Sequence, residues 1–211
     1  MVLDTQRKNV DPLLTRVAKH FTIFDPNTLT WISLVFAFIA GVFFFFSDPA
    51  KEANNYFLYA AALFVFLNGF FDAIDGKVAK LTNKTSVRGD YLDHAIDRYA
   101  DVFMVGGLAL SAWCTYPAIG LLALVGMLLT SYMGTQAQAV GHKRDYAGIL
   151  GRADRLVLLM FAPILQHIFL NFNVQLPYFN LLSWVLIYFA VMGNLTAIQR
   201  FISTLRWFKK K

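Results

Sequence analysis

Cysteine is almost missing from this 211-residue chain: Cys114 stands alone, so no intrachain disulfide can form. Charge is scarce as well, with Asp, Glu, Lys and Arg at 15% of residues, against roughly 25% in a typical soluble domain. A removable signal peptide is not expected, because the stretch from Asp4 to Asp11 is charged and polar rather than a basic patch followed by an apolar run. Internal repeats, low-complexity tracts and a second domain are also not in view, so residues 1–211 are read as one membrane domain.

What the chain does have is hydrophobic length. Apolar residues make up 57% of it and aromatics 16%. Runs such as Trp31 to Phe46 and Leu156 to Phe169 sit inside segments of about twenty residues, enough to cross a bilayer as helices. The expected fold is all-α and polytopic, with six transmembrane helices near 27–47, 55–82, 86–113, 117–141, 152–172 and 178–206. Residues 9–20 alternate Val10, Leu13, Leu14 and Val17 with Asp11, Arg16 and Lys19, the pattern of an amphipathic helix lying in the membrane interface.

Six spans place both termini, the turn near 82–86 and the 142–151 loop on one side of the membrane. Arg16, Lys19, Lys77, Lys80, Lys84, Arg88, Lys143, Arg144, Arg152, Arg155 and Arg206 gather there, and only Lys51 falls opposite. By the positive-inside rule that face is cytoplasmic. The net charge of +6 then reads as attraction to the membrane and to anionic ligands, and nucleic acid is not an expected partner.

Against this background the acidic residues stand out. Asp72 and Asp75 share a face of the second span, and Gly89, Asp93 and Asp97 recur every four residues on the third. Carboxylates inside hydrophobic helices are costly and persist where they bind something. Their mutual repulsion calls for a cation, and hard oxygen donors suit Mg²⁺, Mn²⁺ or Ca²⁺. Gly76 and Gly89 each cost about 1 kcal/mol relative to alanine in a helix, and beside the aspartates a missing side chain lets a bulky ligand approach.

The pattern resembles the CDP-alcohol phosphotransferases, whose signature reads D-x-x-D-G-x-x-A-R, eight residues, G-x-x-x-D-x-x-x-D. Asp72, Asp75, Gly76 and Ala79 match, eight residues separate position 80 from Gly89, and Asp93 and Asp97 complete it. Lys80 departs from the usual arginine, keeping charge but losing the bidentate fork. The resemblance implies transfer of a phosphatidyl or archaetidyl group from a CDP-activated lipid to an alcohol, with release of CMP. It implies one or two Mg²⁺ or Mn²⁺ ions at Asp72, Asp75, Asp93 and Asp97, with Asp97 also the general base. Gly76, Ala79, Lys80 and Gly89 would line the nucleotide surface, joined by Asn27 and Thr30 of the P-N-x-x-T stretch at Pro26. A homodimer in the cell membrane is the assembly it implies.

For the acceptor, Arg152 and Arg155, three apart at the start of the fifth span, together with Lys143, are expected to grip a phosphate. Inositol phosphate is the leading acceptor; glycerol phosphate, serine and free inositol are the alternatives. One feature points away from a phosphorylated acceptor: Gly134 and Gln136 stand where similar inositol-phosphate enzymes carry basic residues. From another functional class, an ion or proton transporter would use membrane carboxylates, yet such sites favour the midplane of inverted repeats.

Overall fold

The structure is a computed structural model and describes residues 7–51, 55–143, 145 and 147–209, with only the backbone of 7–10. Val10 as an apolar contact and Arg144 as part of the basic loop lie outside the described side chains. Seven α-helices and no strands are found among the described residues: α1 Arg7–Ala18, α2 Pro26–Phe46, α3 Phe57–Leu81, α4 Val87–Ala109, α5 Pro117–Ala139, α6 Arg152–Asn171 and α7 Leu181–Phe208.

Local chemistry sets the boundaries. Asp25 caps α2 by accepting the Asn27 N–H, and Pro26 occupies the first turn, where its missing donor costs nothing. Asn180 caps α7 by accepting the Ser183 N–H at 2.8 Å. That helix starts at Leu181 rather than 178 because Tyr178, at φ 66°, leaves helical space. At the end of α4, the turn in which Cys114 N–H bonds the Ser111 carbonyl stops the helix at Ala109, short of the expected 113.

Five of the helices, α2, α3, α5, α6 and α7, are long and apolar enough to cross a membrane. The protein is therefore a polytopic membrane protein. Helix α4 is long enough but carries Arg88, Asp90, Asp93, Asp97, Arg98 and Asp101. Helix α1 and the short 3-10 turn Lys19–Phe21 correspond to the expected amphipathic segment. Ala18 is buried there in a small cluster with Leu29, Ile74 and Val78, packed by Val17 and Phe21, and Lys77 of α3 donates to Asp11 of α1.

Helix α2 is the spine: it packs along both α3 and α4, while α3 and α4 hardly touch each other. Helices α5 and α7 form a second closely packed pair, and α6 bridges α3 to α7. The main core runs through all six long helices, from Phe44, Leu58 and Met104 to Met127, Leu159 and Phe189. The α2–α4 crossing depends on two glycines. A Cβ on Gly41 would strike the Phe103 carbonyl, and one on Gly107 would strike the Gly41 backbone. Gly126 and Gly193 serve the α5–α7 crossing in the same way, the small-residue contact by which membrane helices approach closely.

Gly107→Val is therefore expected to push α4 off α2 and destabilise the fold by about 1–3 kcal/mol. Thermal melting in detergent measures this, and the same change at Gly106, whose Cβ would meet nothing within 4 Å, serves as the tolerated control.

Candidate active site

The α3–α4 connection is short and specified. At the end of α3, Lys84 N–H bonds the Ala79 carbonyl at 2.9 Å and Asn83 N–H bonds the Lys80 carbonyl at 3.4 Å, with Asn83 left-handed at φ 55°. This is a Schellman-type helix end, with asparagine in the place glycine often takes. Ser86 then caps α4 by accepting the Gly89 N–H at 3.0 Å. Asp75 and Asp93 each lie six residues from their helix ends at Leu81 and Val87, hence about 9 Å in. Asp72 and Asp97 lie one turn deeper, so the four carboxylates form two levels of one cleft.

Within that cleft the four aspartates are in charge–charge reach: Asp75 of Asp72 and Asp93, and Asp97 of Asp72 and Asp93. Because α3 and α4 stand apart, they are joined by a third element. Arg152, at the start of α6, places Nη1 2.6 Å from Asp72 Oδ2 and 2.7 Å from Asp97 Oδ1. Helix α2 supplies the other partner: the Thr30 hydroxyl donates to Asp75 Oδ2 at 2.6 Å, with the Pro26 carbonyl at 3.1 Å. Asp97 is 6% exposed. Among the described residues, nothing donates a hydrogen bond to the buried Asp72 Oδ1, and none to Asp97 Oδ1 is well directed despite its ion pair.

That donor set fits a divalent cation. All four side chains offer hard oxygens, and two buried oxygens have bonding capacity to spare. His94 adds a nitrogen nearby: ligand atoms of Asp93, His94 and Asp97 lie within 4.8 Å of one another. His94 also approaches the carboxylates of Asp90 at 3.4 Å and Asp93 at 3.6 Å.

The expected nucleotide residues lie at the start of α2, the end of α3 and the start of α4. Gly76 is exposed, and a Cβ there would meet nothing within 4 Å. Gly89 lies against Asn27, whose Oδ1 would be 3.5 Å from an added Cβ. Thr30 is committed to Asp75, Ala79 is half-buried, and Lys80 is exposed in the last turn of α3. Asp25 reaches the turn through Lys84 at 3.9 Å.

The expected acceptor residues divide. Arg152 faces the carboxylates, and Lys143 is exposed in the α5–α6 loop. Arg155, expected beside Arg152, is 3% exposed and turned into the protein, where Nη1 donates to Asp101 at 2.8 Å and Nε to the Gly151 carbonyl. The reason is Asp101, only 1% exposed on α4, which captures the guanidinium and also lies 3.9 Å from Arg98. Arg98 in turn donates to Ser131 of α5 and lies 3.6 Å from Asp97 Oδ2. Asp154 caps α6 by accepting the Gly151 N–H.

Sequence reasoning passed over Arg200. It is 5% exposed on α7, donating to the Thr130 carbonyl at 2.6 Å and the Ala147 carbonyl at 2.8 Å. A Cβ on Gly134 would lie 3.0 Å from its Nη1. The glycine that made the fourth span look neutral is thus the space a buried arginine from the last helix uses. An arginine set among apolar residues inside a long span, six positions before the terminal Arg206, was the available signal.

Comparison with known proteins places this arrangement. Residues 24–197 match the family model described as CDP-alcohol phosphatidyltransferase. An archaetidylinositol phosphate synthase of Pyrococcus horikoshii is 27% identical over 186 residues, spanning 87% of this chain and 92% of that one. One from Methanothermobacter thermautotrophicus is 29% identical, spanning 93% and 88%. The phosphatidylinositol phosphate synthase of Mycobacterium tuberculosis, crystallised with CDP-DAG bound, superposes with a TM-score of 0.72 at 22% identity, covering 92% of this chain and 94% of that one. Its complex with manganese and citrate gives a TM-score of 0.71 at 24% identity, covering 91% and 88%.

The Asp101–Arg155 pair ties α6 to α4 and so fixes where Arg152 enters the cleft. Asp101→Ala leaves a buried guanidinium uncompensated and is expected to cost about 3–5 kcal/mol, read as a fall in melting temperature. A melting curve unchanged from the parent protein would show that the pair does not hold α6.

Proposed function

The chain belongs to the CDP-alcohol phosphatidyltransferase family, and we propose that it transfers a phosphatidyl or archaetidyl group from a CDP-activated lipid to inositol phosphate, releasing CMP. The observation that carries this reading is the cleft itself: four signature aspartates from two separated helices, with Asp75 and Asp97 each in charge–charge reach of Asp72 and Asp93. Near-full-length similarity to two archaetidylinositol phosphate synthases supports inositol phosphate as the acceptor.

Asp72, Asp75, Asp93 and Asp97 hold one or two divalent ions, with manganese supported by the ion in the mycobacterial complex. Bound there, the metal supplies charge neutralisation at the pyrophosphate oxygens. The rest of the chemistry falls to this chain's side chains. The open surface at Gly76, with Ala79, Lys80, Gly89 and Asn27, receives the cytidine diphosphate, and Thr30 holds Asp75 in place. Asp97 takes the proton from the acceptor hydroxyl as its oxygen attacks the lipid-bearing phosphorus, and the bond to CMP breaks. A base within hydrogen-bond reach of the attacking oxygen contributes about 10²–10⁴-fold. Arg152 and the exposed Lys143 offer cationic donors to the acceptor phosphate, and Arg155 holds α6 through Asp101.

For the cleft to receive a water-soluble acceptor, α4 crosses the membrane as a sixth span with its charged face turned to the cleft. Both termini then lie on the cytoplasmic side with the active site, and α1 lies along the interface. The excess of Lys and Arg in the turn and loop on that side supports this orientation.

Asp97→Asn tests the base and metal-ligand roles of Asp97 together. Its CMP release with inositol phosphate and Mn²⁺ is expected to fall at least about 100-fold while CDP-lipid still binds. Turnover close to that of the parent protein would remove Asp97 as the base.

A further inference from the structure

One nitrogen joins the two deeper carboxylates of the cleft. Arg152 Nη1 lies 2.6 Å from Asp72 Oδ2 and 2.7 Å from Asp97 Oδ1. A divalent ion held by both carboxylates takes up carboxylate oxygens at about 2.0–2.6 Å. An ion bound to the same two oxygens, Asp72 Oδ2 and Asp97 Oδ1, would need the space the guanidinium nitrogen fills. The two cations also repel each other at such a distance, so only one of them stands between Asp72 and Asp97 at a time.

Among the described residues, Nε and Nη2 of Arg152 are buried yet make no hydrogen bond, although buried polar groups are nearly always bonded. A planar fork anchored through one nitrogen, with idle donors on the others, is suited to a multi-oxygen anion such as a phosphate. Arg155, one turn along α6, is the contrast: Asp101 and the Gly151 carbonyl hold it on two sides. Arg155 thus fixes the helix, while Arg152 keeps two donors unused beside its ion pairs.

Resting on the function proposed above, we infer that Arg152 is a built-in competitor of the divalent ion. Its guanidinium holds the place between Asp72 and Asp97, and entry of the ion turns it out towards the acceptor phosphate. Loading of the ion thereby delivers the acceptor-binding cation, and phosphate at Arg152 favours retention of the ion by the same coupling.

The test is direct binding of Mn²⁺ to the detergent-purified full chain, followed by the electron paramagnetic resonance of free Mn²⁺ with no nucleotide or acceptor present. Arg152→Gln is expected to bind Mn²⁺ at least tenfold more tightly than the parent protein. Arg98→Gln removes a nearby charge that does not bridge Asp72 and Asp97, and is expected to give a clearly smaller gain. Equal gains in both variants, or no gain in Arg152→Gln, would overturn the competition. The double variant Asp72→Asn/Asp97→Asn distinguishes this failure from that of the functional reading: Mn²⁺ binding at the parent protein's affinity in it places the ion elsewhere and overturns both. Should Arg152→Gln fail to fold, a crystal structure of the parent protein with Mn²⁺ decides the matter. Nη1 out of hydrogen-bonding reach of both carboxylates supports the inference, and Nη1 still bridging them beside the ion overturns it.

Discussion

The structure turns on excess negative charge inside an apolar bundle. Asp72, Asp75, Asp93, Asp97 and Asp101 lie on two helices, and bare carboxylates in such surroundings cost several kcal/mol each. The three arginines Arg98, Arg152 and Arg155 answer part of that charge. Arg152 and Arg155 do so across helices, and this draws the N-terminal end of α6 onto α3 and α4. The remaining negative charge is what equips the cleft to hold a cation.

The scaffold keeps the cleft from closing. If α3 and α4 packed against each other, the aspartates would be forced together with no room for a ligand. Instead α2 contacts both, and the glycine crossing at Gly41 and Gly107 brings α4 against α2 rather than against α3. The same helix contributes Thr30 to Asp75 and Asn27 beside Gly89, so one element sets both the width of the cleft and part of its lining. Fold and site are one construction.

The helices were legible in the sequence because hydrophobic length and capping residues are local: each expected span meets one helix, with ends moved by a few residues. The aspartate set was legible for the same reason, since i, i+3 and i+4 spacing fixes a helix face. Contacts between residues far apart in the chain were not. Arg152 and Arg155 share a spacing that suggests one ligand, yet Asp101, 54 positions before Arg155, claims one of them. Gly134 read as neutrality because nothing near it announces Arg200. Such pairings depend on how helices are arranged about one another, which short-range pattern does not encode.

The central claim is that the aspartate cleft performs lipid transfer to a phosphorylated polyol. The most direct measurement is CMP release by the purified protein in lipid vesicles containing a CDP-activated lipid and Mn²⁺, across inositol phosphate, glycerol phosphate, serine and free inositol. The account predicts release that depends on inositol phosphate, with the matching phospholipid as product. Release supported equally well by free inositol would contradict the role given to Arg152. No release with any acceptor and either diacylglycerol- or archaeol-based donors would contradict the account itself.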